Sequence, residues 1–275
     1  MDQVTPRIYH PEVLSVSRRT DVPFFFAKLF IEDFIAGEFS VPNPYTKRND
    51  IIKTDNLKHI TFWTKDPINM IPNLHILDDH NVTYNFQYTL NAYPVELEPN
   101  VRPLDVRMKQ FMDLSNLIGR ERITWRFDPI LFAPTMRINI NHEYITNAFG
   151  FIATELQHCA NDCVFSFVDK YTKMSHLPFD SLTDEESINI AVAISKINSS
   201  LRFPFKLKTC SEKIDLDKYN ISHSACIDGE LIKKLNPSIV VTKDPNQRTH
   251  CNCIPSKDIG TFNTCRFNCL YCYAK

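Results

Sequence analysis

Glycine is scarce in this chain, and its scarcity excludes two common ways of holding a nucleotide. Only five of the 275 residues are glycine, whereas P-loops and dinucleotide-binding loops each need several glycines close together. Long apolar runs are missing too, since none approaches the roughly 20 residues of a membrane-spanning helix. The N-terminal segment lacks the basic and then apolar layout of a signal peptide. We therefore expect a cytoplasmic protein with no membrane partner.

An excess of charge of either sign is also missing. The chain has 31 Lys and Arg residues against 32 Asp and Glu residues, a formal net charge of −1. The field of the whole protein is therefore weak and does not favour a general binder of nucleic acid or of anionic membranes. A nucleic-acid substrate at a local basic patch stays compatible with this balance. Hydrophobic residues make up 43% of the chain, enough for a sizeable core.

Short β-branched and aromatic runs alternate with longer amphipathic stretches over most of the chain. KHITFWTKDP and RITWRFDPIL are typical of strands, and SIVVTKD is predicted to be the last of them. In SLTDEESINIAVAISKINSSL, Thr183 and Glu186 have the spacing of a helix capping box. Such alternation indicates βαβ units and a parallel sheet. We predict an α/β fold in which residues 1–235 form a parallel (β/α) barrel, complete or partial, and residues 236–275 form a cysteine-rich, metal-binding segment packed on it.

The predicted strands share charged or reactive residues at their C-terminal ends, where β/α barrels carry their active sites. We predict catalytic or substrate-binding roles for a set of seven: Arg18, Arg19, Asp21, Lys65, Arg126, Asp128 and Glu212. The basic members would bind anionic groups, because an arginine fork can meet two oxygens at once. Asp228 and Gln87 are predicted to contact a cofactor. Each of these residues is also compatible with a solvated loop charge or an ion pair.

Thiols are concentrated at the end of the chain. Five of the nine cysteines lie in CNCIPSKDIGTFNTCRFNCLYCYAK, and clustered thiols in the cytosol are more often metal ligands than disulfides. Cys265, Cys269 and Cys272 have the short spacing of iron–sulfur ligands, and three ligands leave one iron of a four-iron, four-sulfur (4Fe-4S) cluster open. An open position is what a catalytic metal site requires. The main alternative is a structural zinc site made from Cys251, Cys253 and two later cysteines.

The string CRFNCLYC resembles the radical S-adenosylmethionine (SAM) motif, with Tyr271 in the aromatic position before the last cysteine. The resemblance implies that Cys265, Cys269 and Cys272 bind a 4Fe-4S cluster and that SAM chelates the fourth iron. It also implies that Tyr271 lies near the adenine and that the reduced cluster cleaves SAM to a 5′-deoxyadenosyl radical. An electron donor such as a ferredoxin or flavodoxin would then be a partner. The superfamily carries this motif after its first barrel strand, whereas here it comes last.

The chain as a whole is similar to a narrower group. SRRTDVP, FWTKDP, ITWRFDPI and the C-terminal cysteine stretch resemble a bacterial domain-of-unknown-function family, number eighteen-forty-eight, whose terminal cysteines have been likened to the radical SAM motif. The similarity runs from about Ser15 to Ala274. It implies a C-terminal cysteine-rich iron–sulfur cap and radical chemistry on an unknown substrate. The basic strand-end residues point to an anionic one.

Four other cysteines form a second set of thiols. Cys210, Cys226, Cys251 and Cys253 are adequate in ligand type for an auxiliary iron–sulfur cluster or a zinc ion. Cys210 and Cys226 are equally compatible with buried small hydrophobes. His250 adjoins Cys251 and is a minor ligand candidate.

A second class of function stays open, namely a metal-stabilised binding protein without radical chemistry. Basic and aromatic residues alternate around the cysteine segment, and together such residues can hold single-stranded nucleic acid by charge and stacking. The residues concerned are Lys243, Arg248, Phe262, Arg266, Phe267, Tyr271 and Tyr273.

Overall fold

Strands and helices alternate along the computed structural model, which describes residues 6–44, 46, 48–170, 176–210, 212–247 and 251–275. The strands in these ranges are β1 (Ile8–Tyr9), β2 (Val13–Val16), β3 (Glu38–Pro42), β4 (Asn49–Lys53), β5 (His59–Thr64), β6 (Thr83–Thr89), β7 (Ile123–Ile130), β8 (Asp162–Phe167), β9 (Lys206–Thr209), β10 (Ile221–His223) and β11 (Lys257–Asp258). The α-helices are α1 (Val22–Phe25), α2 (Ala27–Ala36), α3 (Leu74–Asp79), α4 (Leu104–Ile118), α5 (His142–Leu156), α6 (Asp184–Ser199) and α7 (Gly229–Leu235). Over the described ranges, none of the helices combines the length and the apolar character that crossing a bilayer demands.

The main sheet has eight strands in the order β10-β9-β8-β7-β6-β5-β2-β11, and every neighbouring pair runs parallel. From β2 to β10 the strand order follows the chain order, as repeated βαβ units require. A smaller sheet has the order β1-β4-β3. It joins β1, which precedes β2, to β3 and β4, which lie between α2 and β5, and β3 and β4 pair antiparallel.

The predicted barrel is wrong, because the main sheet is open. Among the described residues its two edge strands, β10 and β11, are not paired with each other. The segment SIVVTKD, predicted to be a strand, forms no strand and pairs with neither edge. The edge beside β2 is instead taken by the two residues of β11. The architecture is therefore α/β with an open, mostly parallel sheet.

Aromatic side chains on one face of the sheet bind it to its connecting helices. Phe62 of β5 packs on Phe30 of α2, with ring centroids 5.6 Å apart. Trp125 of β7 stacks on Phe149 of α5 at 5.2 Å. Helix α6 begins at the predicted capping box. The Thr183 amide donates to the Glu186 carboxylate, and the Glu186 amide donates to the Thr183 hydroxyl. Because side chains alternate along a strand, the intervening residues point to the opposite face.

That opposite face is polar near the start of the strands and is covered further along by C-terminal residues. His59 and Thr61 of β5 both contact Asn85 of β6, at 2.9 and 2.8 Å. Two residues further along β5, Trp63 packs against a second apolar cluster that includes Cys226, Ile227 and Ile254. The residues after β10 therefore cover the end of the sheet at which its strands finish.

His59 gives a pH-dependent prediction. Burial lowers the pKa of His59 to about 4, although its hydrogen bond with Asn85 opposes the shift. Between pH 6.5 and 4 the unfolded chain binds a proton that the folded protein does not, so the stability is complete above pH 6.5 and falls as the pH drops. We expect a loss of about 3 kcal/mol by pH 4, measured by urea unfolding. The variant His59→Gln should show a flatter pH profile, and an unchanged slope would contradict the assignment.

Candidate functional site

A cavity of about 560 Å³ lies at the carboxyl ends of the parallel strands. This volume is within the range of small-molecule sites, roughly 300–1,000 Å³, and open α/β sheets bind ligands outside these strand ends. Seven of the nine cysteines line it: Cys210, Cys226, Cys251, Cys253, Cys265, Cys269 and Cys272. Six of the seven predicted strand-end residues line it as well: Arg18, Arg19, Asp21, Lys65, Arg126 and Asp128.

Asp258 of β11 anchors the C-terminal segment beside the cavity. Its carboxylate accepts hydrogen bonds from the hydroxyls of Ser15 and Ser17, at 3.0 and 2.7 Å, and from the Arg18 amide at 2.9 Å. Two residues on, Gly260 lies so close to β2 that a Cβ atom there would be 1.8 Å from Ser17 Oγ. Only glycine permits this approach, so the segment that carries the last three cysteines is tied to the end of β2.

The motif cysteines are partly or fully buried in the cavity wall. Burial raises the pKa of the Cys269 thiol to about 12, and the nearby Lys65 ammonium opposes the shift. Burial also raises the pKa of Cys265, while backbone hydrogen bonds of Phe267 and Asp21 lower it. Both thiols therefore carry protons when free, and a metal that binds them must displace those protons.

Lys65 connects the motif to a buried acid. Its ammonium donates hydrogen bonds to Glu98 Oε1 at 2.8 Å and to the hydroxyl of Tyr271 at 3.0 Å. The Tyr271 hydroxyl also donates to Glu98, and an Arg107 guanidinium nitrogen lies 3.8 Å from the second Glu98 oxygen. Burial lowers the pKa of Lys65, but the charge of Glu98 is the main cause that raises it, and the net shift is upward. Lys65 is therefore a fixed cation beside the motif.

The strand-end pattern does not identify Glu98 and Arg107. That pattern covers charges directly at strand ends, whereas Glu98 lies nine residues after β6 ends, in the segment EPNV, and Arg107 lies inside α4. A buried charged pair leaves no periodic signal in one sequence. The helix α4 itself was also not anticipated.

Arg126 is the second buried cation of the site. Its guanidinium donates to a single carboxylate oxygen, Asp128 Oδ2, through Nη2 at 2.6 Å and Nε at 3.0 Å. Its Nη1 lies 3.4 Å from Gln87 Oε1 and 3.5 Å from Cys226 Sγ. The guanidinium carbon is 4.9 Å from the Trp63 ring centroid. Charge, hydrogen bonds and a stacking surface thus hold Arg126 in one orientation.

Arg18, together with Lys65 and Arg126, forms the basic wall of the cavity. Its guanidinium carbon lies 5.6 Å from the Trp63 centroid, so Trp63 contacts both Arg18 and Arg126. The buried Arg18 Nε and Trp63 Nε1 have no hydrogen-bond partner in the part of the chain that the structure describes. Buried donors of this kind are rarely left unpaired, so a ligand with acceptor atoms would fit here. Arg19 instead points to the C-terminal segment, with Nη1 donating to Gly260 O at 3.2 Å.

Asp21 caps helix α1 and also faces the cavity. Its carboxylate accepts hydrogen bonds from the Phe24 amide at 3.1 Å, the Thr64 hydroxyl at 2.8 Å and the Lys65 amide at 2.7 Å. Burial nevertheless raises the pKa of Asp21 to about 7. A carboxyl group that exchanges its proton near neutral pH is suited to acid–base work.

Three predicted residues lie outside the cavity lining. Glu212 accepts a hydrogen bond from the Phe167 amide at 2.9 Å, and burial raises its pKa to about 7. Asp228 caps helix α7 through the amides of Glu230 and Leu231. Gln87 is buried behind Arg126 and donates to Cys226 O at 3.2 Å. The predictions for Arg248 and His250 fall outside the described residues.

The cavity thiols do not yet surround a metal position. Within the described ranges, no three His, Cys, Asp or Glu side chains are already arranged to hold one ion. The donor set itself fits soft metals, because thiolates select zinc and iron–sulfur clusters. The three motif cysteines are also close enough for the thiolate charges of Cys265 and Cys272 to raise the pKa of Cys269.

The fold and the cavity define a class: an α/β protein with an open, mostly parallel sheet whose strand ends carry a cysteine-lined cavity. The chain belongs to the family described as Domain of unknown function (DUF1848), which it matches over residues 13–274. The family resemblance expected from the sequence is thereby confirmed, whereas the radical SAM interpretation of its cysteines stays a prediction. No curated protein and no solved structure shows significant similarity to the chain.

Proposed function

We propose that this protein binds a 4Fe-4S cluster through Cys265, Cys269 and Cys272 and uses SAM for radical chemistry on an anionic substrate. A single observation carries the proposal: the three cysteines share one ligand-sized cavity with Lys65, Arg18 and Arg126. A cluster with SAM on its open iron supplies a 5′-deoxyadenosyl radical when an electron donor, such as a ferredoxin or flavodoxin, reduces it.

The residues around the motif give this proposal its chemistry. Glu98 and Lys65 hold the Tyr271 hydroxyl and so fix the ring that the motif predicts beside the adenine. Lys65 remains cationic and lies close enough to Cys269 to offset the negative charge of a thiolate cluster. The proton on Asp21 equilibrates with solvent near neutral pH, so Asp21 can accept or donate one during turnover.

An anionic substrate or cofactor group follows from the basic wall. Arg126 is anchored by Asp128, while Arg18 presents an unpaired Nε toward Trp63, itself an unpaired donor. A carboxylate or phosphate would satisfy these donors through charge-assisted hydrogen bonds. The proposal assumes a cytoplasmic location, which keeps the thiols reduced.

The test is anaerobic reconstitution with iron and sulfide. We expect about four irons per chain, as a 4Fe-4S cluster requires, a change in the EPR spectrum of the reduced cluster on adding SAM, and formation of 5′-deoxyadenosine. The variant Cys269→Ser should lose most of the iron, whereas the matched control Cys159→Ser, a thiol outside the cavity lining, should keep it. Zinc in place of iron, or full iron in Cys269→Ser, would contradict the proposal.

The nucleic-acid alternative has less support. A stacking surface needs exposed rings, but Phe267 and Tyr271 are buried, at 1% and 7% exposed. Phe267 packs against Phe24 and Phe25, with centroids 4.9 and 4.7 Å away. Two of the four rings proposed to stack on bases therefore belong to the interior of the protein.

A further inference from the structure

Four of the cavity cysteines lie outside the Cys265–Cys272 motif, and the fold brings them together. Cys210 Sγ is 2.8 Å from Cys226 Sγ. Cys251 and Cys253 line the same cavity as this pair. The four thiols come from three places: the end of β9, the loop after β10, and the C-terminal segment before β11. No local sequence motif produces this grouping.

The surroundings of this group differ from those of apolar core cysteines. Cys253 Sγ accepts a hydrogen bond from the Ile227 amide at 3.3 Å. Cys226 Sγ lies 3.5 Å from Arg126 Nη1. Amide and guanidinium donors around sulfur stabilise thiolates and are typical of the groups that orient metal ligands. A buried cysteine that serves only as a small hydrophobe needs none of them.

We propose that Cys210, Cys226, Cys251 and Cys253 form a second metal centre, which binds a single thiophilic divalent ion and suits zinc best. Zinc–sulfur bonds of about 2.3 Å place the sulfurs around one tetrahedral ion about 3.8 Å apart. Four thiols that share one cavity are suited to one small ion. In the thiol form Cys210 and Cys226 hydrogen-bond to each other. Metal binding therefore requires that the thiol protons leave and that the side chains turn toward the ion.

Charge balance supports an anionic four-thiolate centre at this place. A divalent ion with four thiolates carries a net double negative charge, which is costly to bury without compensation. Arg126 contacts Cys226, and Arg18 lines the same cavity as Cys253. These two guanidiniums, both against Trp63, offset part of this charge, because Asp128 already pairs with Arg126. Four protein ligands leave no open position, so this centre is structural and fastens the C-terminal segment to the ends of β9 and β10.

The experiment separates this centre from the cluster of the proposed function. In the full chain with Cys265, Cys269 and Cys272 all changed to serine, made metal-free and kept anaerobic, Zn²⁺ or Co²⁺ is added alone. We expect one equivalent to bind, with Co²⁺ giving the thiolate charge-transfer absorption of a tetrahedral site. Further replacement of Cys210 and Cys226 with serine should weaken binding beyond the roughly 10–100-fold typical of groups that only support ligands. Replacement of Cys159 should not.

Alkylation of the wild-type protein provides a check that does not depend on how variants fold. Zn²⁺ should protect Cys210, Cys226, Cys251 and Cys253 from alkylation, as read by mass spectrometry. The proposal is overturned if the triple-serine protein binds no metal, if these four thiols stay reactive with Zn²⁺ present, or if an anaerobic sample contains a Cys210–Cys226 disulfide. Iron with acid-labile sulfide on the same thiols would overturn the assignment of a single ion. None of these results depends on whether SAM is cleaved.

Discussion

Replacing Glu98 with glutamine is expected to lower the free energy of unfolding by about 3–5 kcal/mol, the usual cost of breaking a buried ion pair. Glu98 is 3% exposed and lies between Lys65 and Arg107. Burial raises its pKa, but the charges of Lys65 and Arg107 lower it by more, so the carboxylate is ionised at neutral pH. Glutamine would leave both cations without a counter-charge in the protein interior.

Urea unfolding at pH 7 measures this loss, and Glu96→Gln is the matched control. Glu96 lies two residues earlier and pairs at 3.6 Å with Arg137, whose side chain is 85% exposed. An exposed pair of this kind contributes about 0–1 kcal/mol. Equal losses in the two variants would show that the Lys65–Glu98–Arg107 group is not a coupled buried network.

Glu98→Gln should also affect the site, because Glu98 holds Tyr271 and Lys65 together. The amide oxygen can still accept hydrogen bonds from Lys65 and Tyr271, but it cannot neutralise the Lys65 ammonium. If SAM lies against Tyr271 as proposed, its affinity should fall even under conditions in which the variant is fully folded. Affinity measured well below the unfolding midpoint separates this effect from the loss of stability.

The local sequence pattern was sufficient to predict the repeated strands and the grouping of their ends. Arg18 and Lys65 directly follow the buried strands β2 and β5, whereas Arg126 lies within β7. Parallel pairing brings the same ends of these strands together, so the three side chains reach one site. These predictions succeeded because each depends on a local preference that the tertiary structure follows.

Closure of the sheet could not be predicted in this way. Whether parallel strands form a barrel depends on tilt and stagger accumulated over the whole sheet, and no short segment encodes them. SIVVTKD has the composition of a strand, but in the structure Ile239 packs into the apolar cluster around Cys253 without strand pairing. Side-chain burial took precedence over β propensity here, as happens in short segments. Cys210 and Cys226 lie 16 residues apart in the sequence, and their contact likewise depends on the tertiary structure.

Arg126→Met should weaken both the stability and the second metal centre, because Arg126 links Asp128 to Cys226. Loss of a hydrogen-bonded buried cation costs about 2–3 kcal/mol. Loss of a donor to a metal-binding sulfur lowers metal affinity by about 10–100-fold. Arg126→Lys should restore much of the stability through its charge but little of the metal affinity, since a single ammonium cannot bond Asp128 twice and also reach the sulfur.

Urea unfolding and competition with a chromophoric zinc chelator measure the two effects of Arg126→Met separately. The exposed Arg137, changed to methionine, is the control for loss of one positive charge and should alter neither quantity beyond about 0.5 kcal/mol or its equivalent in affinity. If Arg126→Met lost stability while zinc affinity stayed at the wild-type value, Arg126 would serve only to neutralise Asp128. In that case the 3.5 Å distance from Arg126 Nη1 to Cys226 Sγ would be a consequence of packing. Arg18 would then be the one remaining guanidinium that offsets the charge of a four-thiolate centre.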